Sequence, residues 1–148
     1  METMLSSKNS SYYSVNLICK TRHLLHKARQ RELAPYNITP QQAHILLILH
    51  ELGHKVTLTE LARHVERESN SLSEQVAKME KDGLVKKTRE TPKSNKLSCV
   101  LTKKGLEICN QSQKLRVDKA IMSVVSLKER QQLMATLEKL IHEAEKYQ

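Results

Sequence analysis

Hydrophobic positions repeat at three- and four-residue intervals in six segments of the chain, the period of an amphipathic helix. The first runs from about Tyr12 to Glu32, where Leu17, Ile18, Thr21, Leu24, Leu25 and Ala28 form one stripe and Lys20, Arg22, Lys27 and Arg29 to Arg31 face elsewhere. Residues 1–11 before it read as a frayed tail. Gln41 to Leu52 carries Ala43, Ile45, Leu46, Leu47, Ile48 and Leu49, apolar nearly all round, and so reads as a buried central helix. Leu58, Leu61, Ala62 and Val65 give a short helix its apolar face, and Leu72, Val76 and Met79 do the same for the next. A long helix is expected from Thr102 to about Val124, with Leu106, Cys109, Val117, Ala120, Ile121 and Val124 on its buried side. The last, to about Lys146, is striped by Leu133, Leu137, Leu140, Ile141 and Ala144. Between the fourth and fifth helices the period changes. Leu84 to Arg89 and Leu97 to Leu101 read as two strands joined by a polar turn around Pro92 to Asn95.

Punctuation supports these boundaries. Asn37 supplies a turn, and Thr39-Pro40-Gln41-Gln42 places an N-cap, a proline at the first helical position and a closing glutamine in order. The same Ser/Thr-x-x-Glu capping pattern recurs at Thr57 to Glu60, Ser71 to Glu74 and Ser126 to Glu129. Gly53 and Gly83 end the second and fourth helices, as residues tolerant of left-handed backbone do. The two short helices joined by 66–69, the second more polar, form a helix-turn-helix arrangement. The first would brace the second, and a B-form major groove admits one helix.

The polar side of that second helix presents Asn70, Ser71, Ser73, Glu74, Gln75 and Lys78, short or amide-bearing groups suited to base edges and phosphates. Asn70, Ser71, Ser73 and Gln75 are the candidates for base contact. Lys78, Lys86, Lys87, Arg89, Lys93 and Lys96 are the candidates for phosphate or minor-groove contact. The net charge of the 148-residue chain is +9, and the 27 residues from Lys78 to Lys104 carry +6 of it. Charge is therefore concentrated on the helix-and-hairpin element, the shape of a winged helix. A solvated basic face without a partner is the bland alternative.

Composition narrows the classes. A pI near 9.6 favours a polyanionic partner, nucleic acid before an acidic membrane surface. Aromatic residues make up 3% with no Phe or Trp, which disfavours single-strand readers that stack bases. No long apolar run spans a membrane and no secretion signal is evident, so a cytoplasmic protein is expected. Three glycines leave no phosphate-binding loop and no nucleophile elbow, so no enzyme and no cofactor are expected. Cys19, Cys99 and Cys109 fit neither zinc spacing nor an even disulfide framework, and Cys19 is the candidate redox thiol. His23 with His26, and His50 with His54, make no metal motif, so no metal is assigned.

The first, fifth and sixth helices lie outside the helix-turn-helix and hairpin, yet each has an apolar face to bury. Exposing such stripes costs very roughly 25 cal/mol per Å². Pairing with a second copy removes that cost and sets two reading helices about 34 Å apart, one DNA turn, to match a palindrome. The alternative is that these helices fold back on their own domain.

Four segments together resemble the MarR family of bacterial winged-helix regulators: Asn37 to Gln42, Leu58 to Ala62, Met79 to Val85 and Leu101 to Gly105. The likeness extends over nearly the whole chain. It implies an obligate homodimer, a recognition helix from about Ser69 to Asp82, a wing from about Lys86 to Lys96, and a small-molecule or oxidant signal that loosens DNA binding. The family's Ser/Thr-rich start of the recognition helix falls on Ser69, Ser71 and Ser73. Its wing Asp-x-Arg, counted back from Leu101-Thr102, falls on Lys93-Ser94-Asn95, so no arginine stands in register. Lys93 or Lys96 would replace it as point charges without arginine's planar fork.

The expectation is thus a mainly α (α+β) fold, a winged helix-turn-helix with a two-stranded wing and helical dimerisation arms. Residues 1–36 would hold the tail and first dimerisation helix, 37–105 the DNA-binding domain, and 106–148 the C-terminal dimerisation helices. Asn95 joins the DNA-contact set through its place in the wing. An effector crevice is expected where the first and fifth helices meet the head, with Arg22, His23 and His44 as its polar residues. The function expected is that of a sequence-specific regulator of a palindromic duplex operator, more a repressor than an activator. The rival is a basic dimeric adaptor that binds protein or an acidic membrane surface.

Overall fold

The computed structural model describes residues 3, 7–65, 69–115 and 117–148, apart from the side chains of Ser69 and Asn70. The chain forms two compact units, 1–115 and 116–148. The order in the first is α1 (Ser11–Leu33), a 3-10 turn (Ala34–Tyr36), α2 (Pro40–Leu52), β1 (Val56–Thr57), α3 (Leu58–Val65), α4 (Ser69–Lys81), β2 (Val85–Arg89), β3 (Leu97–Leu101) and α5 (Lys103–Gln113). The second unit holds α6 (Val117–Met122) and α7 (Leu127–Glu145). No described helix is long and apolar enough to cross a membrane.

The core of the first unit is built around α2. Ala43, Ile45, Leu46 and Leu49 are buried with Leu61 of α3, Leu72, Val76 and Met79 of α4, Val85 and Cys99 of the sheet, and Cys109 of α5. Fully burying side chains such as Leu72 contributes roughly 1.5–3 kcal/mol each. The expectation that α2 is buried holds for that face, while His44, His50 and Glu51 are exposed. Its start is a complete capping box: the Gln42 N–H donates to Thr39 Oγ1 at 3.1 Å and the Thr39 N–H to Gln42 Oε1 at 3.1 Å.

The sheet has three strands rather than the expected two, in the order β1-β3-β2, all antiparallel. β1 is two residues long, too short to show alternation. Val56 pairs with Cys99 and Thr57 with Ser98, which stitches the start of α3 to the middle of β3. Thr57 Oγ1 accepts the Glu60 N–H at 3.1 Å, but the Glu60 carboxylate turns to His54 at 3.9 Å, so this cap is half a box. The cap expected at Ser71 is absent, because α4 already runs from Ser69. The connection 66–68 lies outside the described residues.

The continuous helix expected from Thr102 to about Val124 is two helices. At the end of α5 the Ser112 hydroxyl donates to the Cys109 carbonyl at 2.8 Å, and the Lys114 and Leu115 N–H groups turn back to Gln111 and Ser112 at 3.1 and 3.3 Å. Tight back-bonding of this kind competes with the helical ladder. The buried side of α5 is Gly105, Cys109 and Ser112. Leu106, expected there, is 39% exposed.

The last turns of α1 touch the head. Leu33 is buried, and Arg29 bridges Glu32 at 2.8 Å and the Ser112 carbonyl of α5 at 3.4 Å. Tyr12, Val15, Leu17, Ile18 and Leu24 are exposed. In the second unit Ser126 and Glu129 cap α7 reciprocally at 3.2 and 2.7 Å. Hydrogen bonds from the Ser126 backbone N–H, and then from its side chain, hold the Glu129 carboxyl below its usual range. Leu133, Met134, Leu140 and Ile141 of α7 are exposed.

Candidate nucleic-acid interface

Leu72, Val76 and Met79 anchor α4, which turns Ser71, Ser73, Glu74 and Lys78 to solvent. These four form the outward face of the helix. Gln75 is set back from it: the residue is half-buried, and its Oε1 has no hydrogen-bond partner among the described residues. The side chains of Ser69 and Asn70, both expected at this face, lie outside what is described.

A knot of short contacts ends α4 and begins α5. The Leu84 N–H donates to the Met79 carbonyl at 2.9 Å and the Gly83 N–H to that of Glu80 at 3.0 Å, a Schellman closure with Gly83 at φ +77°. Its apolar partners, Met79 and Leu84, are both buried. Across the hairpin, Thr102 Oγ1 donates to the Gly83 carbonyl at 2.5 Å and the Thr102 N–H to that of Leu84 at 3.1 Å. The same Oγ1 caps α5 by accepting the Gly105 N–H at 3.0 Å. Lys104 Nζ reaches the Asp82 carbonyl at 2.9 Å. The Lys-Asp-Gly-Leu-Val and Leu-Thr-Lys-Lys-Gly segments are therefore two halves of one joint.

From this joint the hairpin rises in fixed register, Val85 opposite Leu101 through Arg89 opposite Leu97. A turn closes its tip, with the Ser94 N–H on the Thr91 carbonyl at 3.0 Å and the Lys96 N–H on Ser94 Oγ at 3.1 Å. Lys86, Arg89, Lys93, Asn95 and Lys96 are exposed along it. Lys87 differs. Its backbone N–H donates to Glu80 Oε2 at 2.7 Å, and its ammonium lies 3.8 Å from Glu80 Oε1 with 26% of the side chain exposed. Glu80 thus clamps the hairpin to α4 and already shares the Lys87 charge.

Beside Lys87, across the ladder, Cys99 is buried. Burial pushes its thiol up from 9.0 to about 11, partly opposed by Lys87, with Glu80 adding to the rise. Burial, helped by Glu51, also raises the Cys109 thiol. Cys19 is exposed on α1. The thiolate is the reactive form, so Cys19 is the accessible thiol and the other two are shielded.

Three concavities lie near these elements. One of about 370 Å³ is lined by Leu49, His50, His54, Lys55, Leu101, Lys103 and Leu106, and one of about 300 Å³ by Tyr36, Asn37, Lys81, Asp82, Lys104 and Ile108. The third, about 340 Å³, lies between α3 and the hairpin and includes Thr59, Arg63, Asn95 and Lys96. Arg22, His23 and His44 are exposed and line none of the three. Arg63 does not stand out in the sequence. The available signal is its four-residue spacing from Thr59 on the side of α3 opposite Leu61.

Comparison with known proteins places this arrangement. The model of the MarR family matches residues 38–92. No curated protein sequence matches significantly. Among solved structures, the organohalide-sensing transcriptional regulator RdhR-CbdbA1625 in its 2,4-dichlorophenol-bound form superposes with a TM-score of 0.84 at 29% identity, over 97% of this chain and 89% of that one. AbsC, a MarR family transcriptional regulator from Streptomyces coelicolor, superposes at 0.82 with 23% identity, covering 96% and 98% of the two chains. A mutant of MarR from E. coli complexed with operator DNA superposes at 0.77 with 20% identity, over 84% and 91%. The latter two likenesses bear on the fold alone.

Proposed function

With a MarR-family domain over residues 38–92 as the premise, we propose that this chain is a homodimeric regulator that binds a palindromic DNA operator and represses transcription by blocking polymerase. The observation that carries the reading is the joint at Gly83 and Thr102. It holds the exposed face of α4 and the basic hairpin on one base, so helix and hairpin meet a duplex as a unit. In this reading residues 37–105 read DNA, while 1–36 and 106–148 pair the protomers in the cytoplasm.

Asn70, Ser71, Ser73 and Gln75 contact base edges, Ser71 and Ser73 from the outward face and Gln75 from its inner margin, and Ser69 joins the DNA contacts at the start of the helix. Lys78, Lys86, Arg89, Lys93, Asn95 and Lys96 contact phosphates or the minor groove, and Lys87 contributes a charge shared with Glu80. The relative bound to 2,4-dichlorophenol supports a small-molecule signal. That signal acts by binding the DNA-incompetent arrangement better, at a site that includes Arg22, His23 and His44, or by oxidation of the exposed Cys19.

The test is fluorescence anisotropy on duplex DNA from upstream of the gene and on a scrambled duplex, between about 50 and 200 mM salt. Tight, salt-steep binding to the native duplex alone is expected. Equal binding to both duplexes would refute operator specificity. Binding to anionic vesicles but to neither duplex would establish the adaptor reading instead.

A further inference from the structure

The cleft between α3 and the tip end of the hairpin joins two DNA-contact residues expected from sequence, Asn95 and Lys96, to two that sequence does not single out, Thr59 and Arg63. Pairing of Thr57 with Ser98 sets Leu97 and Lys96 beside the first turn of α3. On that helix Leu61 is buried inward, which leaves Thr59 and Arg63, four residues apart, exposed. The cleft, about 340 Å³, brings Thr59 and Arg63 together with Asn95 and Lys96. Among the described residues, two cations line it and no carboxylate does. Glu60, one turn away on α3, is directed to His54 at 3.9 Å. Neither Arg63 nor Lys96 has an ion-pair partner among the described residues.

We propose that this cleft grips a phosphodiester of the DNA backbone, with the Arg63 guanidinium and the Lys96 ammonium as its two cations and Thr59 and Asn95 as neutral donors. The assignment rests on the DNA-binding function proposed above. Two like charges held by separate elements over one concavity repel each other until an anion enters. A guanidinium presents paired N–H groups that match two oxygens of a phosphate, and Lys96 adds a point charge. The cleft is continuous with the hairpin through Asn95 and Lys96, so a duplex lying along α4 and the hairpin passes its mouth. Arg63 then fixes the position of the reading helix along the duplex without reading bases itself.

Salt-dependent anisotropy on the full chain tests this. Arg63→Ala is expected to weaken native and scrambled duplexes by the same factor, about five- to tenfold, and to lower the slope of log affinity against log salt by about one. Arg63→Lys keeps the slope, and Arg63→Ala with Lys96→Ala lowers it by about two. In ethylation interference, one phosphate should drop out of the footprint of Arg63→Ala and stay in that of Lys78→Ala. Arg63 is exposed, so an unchanged thermal melt will show that the fold is intact. An unchanged slope and footprint in Arg63→Ala, with Lys78→Ala lowering the slope, would overturn the clamp and leave DNA binding standing. Failure of the wild type on every duplex would overturn both. Inorganic phosphate at constant ionic strength should compete equally poorly with wild type and Arg63→Ala; competition that depends on Arg63 would make the cleft a free-phosphate site.

Discussion

A Cβ at position 105 would stand 2.0 Å from the carbonyl oxygen of Leu84 and 2.9 Å from its carbon, both backbone atoms that cannot step aside. Gly105→Ala is therefore expected to destabilise the protein by about 3 kcal/mol or to part α5 from the hairpin base. Urea denaturation checks this, and a midpoint equal to the wild type's would show that the joint is looser than its contacts imply. Gly105 is visible from sequence only as part of a motif. Its reason, the passage of Leu84 across the start of α5, joins residues far apart in the chain and leaves no local trace. Cys99 gives a second expectation at this scale. Its folded-state thiol is raised to about 11 from 9.0, so the unfolded chain loses the proton first. The stability this thiol contributes is complete below pH 9 and is lost as pH rises from 9 towards 11. Denaturation midpoints across that window should fall less in Cys99→Ala than in the wild type.

Among the elements, those with a full local signal were legible. The apolar triplet Leu72, Val76 and Met79 fixes the inner face of α4, and the caps at Thr39 and Ser126 have both of their reciprocal bonds. Elements defined by distant partners were not. β1 exists because Val56 and Thr57 find Cys99 and Ser98, and two residues carry no period of their own. The break after α5 is hidden because Ser112 looks like any polar residue until its hydroxyl turns back on Cys109. The clamp between α4 and the hairpin is likewise a tertiary feature. Glu80→Ala removes the acceptor of the Lys87 N–H and is expected to cost about 1 kcal/mol, a charged hydrogen bond discounted for partial exposure. Faster amide exchange at Lys87, with α4 still protected, would locate the effect. Unchanged exchange at Lys87 would show that the ladder alone holds the strand.

For the whole molecule, the sequence pattern left apolar faces without partners, and in the protomer those faces remain open. Ile141 is 54% exposed, Leu140 47% and Leu133 44% on α7, with Val15 at 55% on α1. Stripes of this kind on helices are what a second copy would cover. Leu133→Asp with Ile141→Asp is expected to yield a monomer in sedimentation velocity at micromolar concentration and to lose about a hundredfold or more in operator affinity, since one head then binds without its mate. A double variant that stays dimeric would move the interface elsewhere. The stripes were legible because helical period is local. What would cover each stripe was not, because that depends on surfaces outside the chain.

The knot at Gly83 and Thr102 also sorts the chain by its tolerance of changes in length. Both ends of the hairpin are tied there, so one residue added or removed at its base would slip the ladder and turn each side chain to the wrong face. The tip between Glu90 and Lys96 is a closed loop on a fixed footing, where doubling the length costs only about 0.6 kcal/mol of closure entropy. Insertions and deletions can therefore accumulate at the tip, and its reach can be altered while α4 behind it stays as it is.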